Sequence, residues 1–161
     1  MIVKAGEFVQ GGRTVGRLDD GRVVFLDGLF PGETAQVRIT EKKKDYCTAV
    51  PLDIVERSAH RRVSPCLYSR ECGGCPWIEL EYEAQVSAKE ELQRKLFADC
   101  GDLEFLETVK CPNEFHYRSR ARFQYRVSNG KARLGFCAER SNSTVGIESC
   151  IIADEALNGF I

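Results

Sequence analysis

Apolar and polar residues alternate in short runs over the first third of this chain. Ala35, Val37 and Ile39 alternate with polar neighbours between Thr34 and Thr40, and an apolar run extends from Arg22 to Leu26. Gly11-Gly12, Asp20-Gly21, Asp27-Gly28 and Pro31-Gly32 punctuate these runs with turn residues. A period of two puts every second side chain on one face of a strand, so the pattern predicts short half-buried strands. A Lys42-Lys43-Lys44-Asp45 turn leads into a further strand from Tyr46 to about Val55. Strands this short at this spacing predict a small closed barrel over residues 1–56, because closure removes edges that so small a sheet would otherwise expose.

The period changes at Tyr82. Up to Cys100, residues Val86, Lys89, Leu92, Leu96 and Phe97 fall near one helical stripe, Lys89 through its aliphatic stem, while Glu90, Glu91, Arg94 and Asp99 point elsewhere. Further on the period of two returns. Tyr117, Ala121, Phe123, Tyr125 and Val127 share one parity, and Arg118, Arg120, Arg122, Gln124 and Arg126 share the other, which predicts a strand with a comb of arginines along one face. Asn129-Gly130 is a favoured two-residue hairpin turn, with Lys131, Arg133, Leu134, Gly135 and Phe136 on the returning strand. The expected fold class is therefore mainly β (α+β), in three parts: a barrel over 1–56, a cysteine loop and helix over 57–100, and an antiparallel sheet over 101–161. The last apolar pattern, Ile151, Ile152, Leu157, Phe160 and Ile161, starts a buried-looking segment and then stops with the chain, as a truncated domain would.

Composition narrows the classes. With 161 residues, 43% apolar and 29% charged, the chain has the makeup of one ordinary globular domain or two small ones. No apolar run approaches the length of a membrane span, and the start MIVKAGEFVQGG lacks the blocks of a secretory signal, so no membrane partner is expected and a cytoplasmic setting is. A net charge of −1 conceals a division: Glu79 to Glu107 holds nine acidic and three basic residues, Lys110 to Arg140 eight basic and two acidic. An anionic partner would bind the second stretch.

The cysteines carry the candidate chemistry. Cys66, Cys72 and Cys75 are written C-x5-C-G-G-C, so three thiolates can reach one centre, and Gly73 and Gly74 let the backbone wrap tightly. In a reducing compartment, clustered thiols favour metal ligation over a disulfide framework. Zinc remains open, but zinc loops usually pair two C-x2-C knuckles and this chain has one, so an iron-sulfur site fits better. Cys47, Cys100, Cys111 and Cys137 read as ordinary small thiols, and His60 and His116 as surface or packing residues rather than catalytic ones.

Two stretches resemble known families. The run G-R-V-V-F-L-D-G-L-F-P-G-E, from Gly21 to Glu33, resembles a TRAM domain, an RNA-binding barrel related to the OB fold. The run RVSPCLYSRECGGCPWIELEYEAQVSAK, from Arg62 to Lys89, resembles the cluster loop and following helix of the bacterial 23S ribosomal RNA (uracil-5-)-methyltransferases. That resemblance implies a 4Fe-4S cluster held by Cys66, Cys72, Cys75 and a late fourth cysteine, which maps onto Cys150 in V-G-I-E-S-C-I-I. It also implies structured RNA, ribosomal in that family, as the partner of Arg118, Arg120, Arg122 and Arg126. Y-R-S-R-A from Tyr117 resembles the family's Y-R-N-R-A, with Ser119 in place of the amide residue. The same family makes 5-methyluridine with S-adenosylmethionine in a separate α/β domain, and no strand-glycine-helix signature of such a domain is found here. The expectation is thus an N-terminal portion, inactive alone, served by a methyltransferase domain in cis or trans. The alternative is a self-standing RNA-binding or redox-sensing iron-sulfur module. Radical methylthiotransferases also join a TRAM domain to iron-sulfur chemistry, but their C-x3-C-x2-C loop precedes the barrel.

Overall fold

The computed structural model describes residues 1–128 and 130–161, which divide into two compact units: Met1–Arg62 with Leu80–Thr108, and Val63–Glu79 with Val109–Ile161. In the first unit β1 (Ile2–Lys4), β2 (Thr14–Arg17), β3 (Val23–Leu26), β4 (Thr34–Lys42) and β5 (Tyr46–Glu56) form one sheet in the order β1-β4-β5-β3-β2. The alternation along β4 acts as a period of two requires, with Ala35 and Val37 buried and Gln36 and Arg38 exposed. Ala35 and Val37 meet Val3, Val24, Leu26 and Leu29 in the barrel core. Burying each of the larger of these side chains is worth roughly 1.5–3 kcal/mol.

β4 and β5 form the expected hairpin, with the Lys43 N–H donating to the Tyr46 carbonyl at 2.9 Å. β3 then runs parallel to β5, a pairing that alternation alone does not announce. Closure comes from the chain just after β1, which turns onto β2: the Gly6 N–H donates to the Val15 carbonyl at 2.7 Å and the Val15 N–H to Glu7 at 3.0 Å. The barrel thereby covers both edges of its sheet.

Glu33 is the polar centre of this unit. Its carboxylate is fully buried and accepts from the Phe30 N–H at 2.8 Å, the Ser58 N–H at 3.1 Å and the Arg61 side chain at 2.6 and 2.8 Å. Arg61 also donates to the Gly28 carbonyl at 2.8 Å and lies over the Phe30 ring at 4.1 Å. The Pro-Gly-Glu turn thus ends in a buried ion pair that ties residues 58–61 to the barrel.

Helix α1 (Tyr82–Leu96) ends one turn before the expected limit at Cys100. Val86 and Ala88 are its buried residues, whereas Leu96 and Phe97 are 69% and 40% exposed, so the apolar stripe stops short of the last turn. Lys95 holds that turn by ion pairs with Glu7 and, at 2.7 Å, Glu91. Among the described residues no helix is long and apolar enough to cross a membrane.

In the second unit β6 (Gln124–Ser128), β7 (Lys131–Cys137) and β8 (Thr144–Gly146) form an antiparallel sheet in that order, followed by the short helix α2 (Glu155–Asn158). Of the expected Asn129-Gly130 turn, Asn129 lies outside the described residues. The described residues are mainly β with two helices, the class that the periodicities predict.

Candidate metal centre

The C-x5-C-G-G-C loop is wound by short local hydrogen bonds. The Ser69 N–H donates to the Cys66 carbonyl at 3.4 Å, the Cys72 N–H to Tyr68 at 2.8 Å and the Ile78 N–H to Cys75 at 3.2 Å, three turns along the loop. Gly73 has a separate task. Its N–H donates to the Cys137 carbonyl at 3.1 Å, and Cys72 bridges Ala138, so the loop lies along the end of β7. A β-carbon on Gly73 would stand 2.8 Å from the Glu139 Cα, and one on Gly135 only 1.7 Å from the Val145 carbonyl of β8. Both glycines are therefore required by close backbone approach.

The fourth cysteine arrives from the far end of the unit. The Cys150 N–H donates to the Asn158 side chain at 2.8 Å, whose amide donates back to the carbonyls of Cys150 at 3.1 Å and Ala153 at 3.3 Å. Asp154 caps α2 by accepting from the Ala156 N–H at 2.8 Å, which fixes Asn158 in turn. Asn158 was not legible as a site residue, since its partner is a main-chain segment eight residues away.

Cys66, Cys72, Cys75 and Cys150 together line one cavity of about 40 Å³, walled by apolar residues that include Ile78, Ile147 and Ile152. Among the described residues no three or more His, Cys, Asp or Glu side chains form a group that could hold a metal ion as they stand. An all-thiol, apolar-walled donor set fits an iron-sulfur cluster chemically. Burial pushes the Cys75 thiol up to about 11, with the neighbouring Cys150 and Cys72 adding to the rise and Arg118 opposing it. Burial likewise raises Cys72, against a hydrogen bond from the Gly74 N–H.

Of the remaining cysteines, Cys47 is buried in the barrel core and Cys100 and Cys111 are exposed. Cys137, half-buried at the end of β7, stands near enough to Cys72 to act on it electrostatically.

The arginine segment differs from the expected single strand. The ladder starts at Gln124, opposite Gly135, so of the four arginines only Arg126 lies in β6. Beyond Gly135 the Gly73 loop takes the Cys137 carbonyl on the β7 edge that faces β6, which leaves residues 119–123 without a partner strand. Arg120, Arg122 and Arg126 are exposed. Arg118 is half-buried, bridged to Ala153, and lines the cysteine cavity. Arg126 sits directly opposite Arg133 across the β6–β7 pair. The companion parity is not a covered face either, since Tyr125 and Val127 are 73% and 61% exposed. Alternation defines two faces of a strand and does not say which of them is covered.

A barrel of this topology followed by a cysteine-lined second unit defines a class. Residues 4–52 match the family model of the TRAM domain. The chain is 34% identical over 150 residues to an uncharacterized RNA methyltransferase of Thermosynechococcus vestitus, covering 91% of this chain and 33% of that protein. It is 36% identical over 152 residues to a 23S rRNA (uracil(1939)-C(5))-methyltransferase of Halomonas elongata, covering 93% and 32%. In fold it matches the crystal structure of Pyrococcus abyssi tRNA (uracil-54, C5)-methyltransferase in complex with S-adenosyl-L-homocysteine, with a TM-score of 0.64 at 20% identity over 97% of this chain and 34% of that one. The chain is a TRAM domain joined to the N-terminal region of the RNA uracil-5-methyltransferase family, and it spans about a third of the length of the curated relatives it matches.

Proposed function

We propose that this chain is the RNA-binding portion of an S-adenosylmethionine-dependent RNA uracil-5-methyltransferase, and that Cys66, Cys72, Cys75 and Cys150 hold a 4Fe-4S cluster within it. The observation that carries the reading is the convergence of those four thiols, three from one loop and one from 75 residues beyond Cys75, on a single apolar-walled cavity. When bound, the cluster cross-links the loop to the Cys150 segment; with four thiolates supplied, no coordination position is left for substrate. Its role in this reading is structural. Methyl transfer to carbon 5 of uracil belongs to the remainder of the protein, and a cytoplasmic setting goes with a ribosomal RNA substrate.

The RNA is held by the TRAM barrel and by Arg120, Arg122 and Arg126. Like charges directly opposite in a sheet are destabilising, so the Arg126–Arg133 pair is relieved when a phosphate lies over it.

Purified without oxygen, the full chain should be brown, absorb near about 400 nm and carry about four irons with matching sulfide. One zinc per chain and no colour would overturn the cluster. For the RNA arm, binding to a transcribed 23S ribosomal RNA fragment should weaken in the double variant Arg122→Ala, Arg126→Ala, and the slope of log affinity against log salt should fall by about 1 per arginine removed. An unchanged slope would take both arginines off the RNA surface.

A further inference from the structure

We propose that Arg118 is the charge partner of the cluster, its guanidinium offsetting the negative charge of four thiolates around an iron-sulfur core and thereby setting the reduction potential of the site. The proposal rests on the reading of Cys66, Cys72, Cys75 and Cys150 as cluster ligands, and it moves Arg118 from the RNA surface, where the alternation of the sequence would put it, to the metal centre.

Three observations carry it. Among the described residues, Arg118 is the one charged residue lining the cavity that the four thiols share. Its backbone is fixed to the segment that carries Cys150, with its N–H donating to the Ile152 carbonyl at 2.9 Å and its own carbonyl accepting from the Asp154 N–H at 2.9 Å. Among the described residues, no carboxylate forms a salt bridge with it. A half-buried cation without a salt-bridged acid is costly, and the thiolate set offers it a counter-charge. Walls of Ile78, Ile147 and Ile152 strengthen the attraction by excluding water. Arg120 and Arg122, two and four residues on, are exposed and remain free for phosphate.

A cation beside a cluster favours the reduced, more negative state, so its removal lowers the potential. In a redox titration of the anaerobically loaded full chain followed by paramagnetic resonance, Arg118→Gln should lower the reduced-to-oxidised ratio at fixed potential about tenfold, about 59 mV for one electron. Arg118→Lys should recover most of that shift. RNA affinity and salt slope of loaded Arg118→Gln should match the wild type, whereas those of Arg122→Ala fall. A wild-type chain without iron would sink the underlying cluster reading. Full iron with an unchanged potential in Arg118→Gln would sink this inference alone, as would a weakened salt slope with an unchanged potential. If Arg118→Gln fails to load iron, loading by Arg118→Lys sustains the charge role, and failure of both variants overturns it in favour of a purely structural one.

Discussion

Replacing Cys150 with serine should leave the protein without a stable four-iron cluster and with a loosened second unit. Cys66, Cys72 and Cys75 lie in one loop, so a cluster on those three thiols alone would cross-link little; Cys150 closes a stretch of 75 residues counted from Cys75. On the chain-entropy model, cross-linking a loop of that length removes about 4.5 kcal/mol of denatured-state freedom. The loaded wild type should therefore resist urea by a few kcal/mol more than Cys150→Ser, and chelation of its iron should abolish most of the difference. The rival fourth ligand is Cys137, which sits near Cys72 but is not among the residues lining the cavity. Cys137→Ser should keep about four irons and its colour. The reverse result, with full iron in Cys150→Ser and loss in Cys137→Ser, would reassign the ligand.

What the sequence disclosed and what it withheld divide by the range of the interaction. The β4 alternation and the Lys42 to Asp45 turn are local, and both reappear where they were expected. The parallel β3–β5 pairing and the closure of Gly6 and Glu7 onto Val15 are relations between distant segments, and no periodicity encodes them. The cysteine loop was legible from spacing, but placing Cys150 beside it took the family resemblance, and Asn158, which clamps Cys150, left no signal. The arginine strand misled for a physical reason. The parity from Tyr117 to Val127 is real, yet a strand extends only as far as its partner offers an edge, and the Gly73 loop occupies that edge beyond Gly135. The helix stripe overran because Leu96 and Phe97 satisfy the period yet stay 69% and 40% exposed, and a period does not say how much of a face is covered.

Glu33→Gln should cost about 3–5 kcal/mol at neutral pH, the usual penalty for removing one member of a buried ion pair. The amide matches the carboxylate in volume but leaves Arg61, whose side chain is 5% exposed, without its counter-charge, and it cannot accept from Phe30, Ser58 and both Arg61 nitrogens as the carboxylate does. The pair also makes stability depend on acid. Burial by itself would raise the Glu33 carboxyl, but the Arg61 hydrogen bond and the N–H groups of Phe30 and Ser58 outweigh it and hold the group below its ordinary value. A carboxyl lowered on folding contributes stability that is fully present above the unfolded value, about 4.3, and is lost as pH falls through the lower folded value. Urea unfolding of the full chain between neutral pH and about pH 3 should therefore show a steep acid loss that Glu33→Gln flattens. The double variant Glu33→Gln, Arg61→Met should recover much of the neutral-pH loss, because the orphaned charge is gone while the contact with Phe30 survives. A loss below about 1 kcal/mol in Glu33→Gln would show that water reaches the pair, and that residues 58–61 are tied to the barrel by something other than this carboxylate.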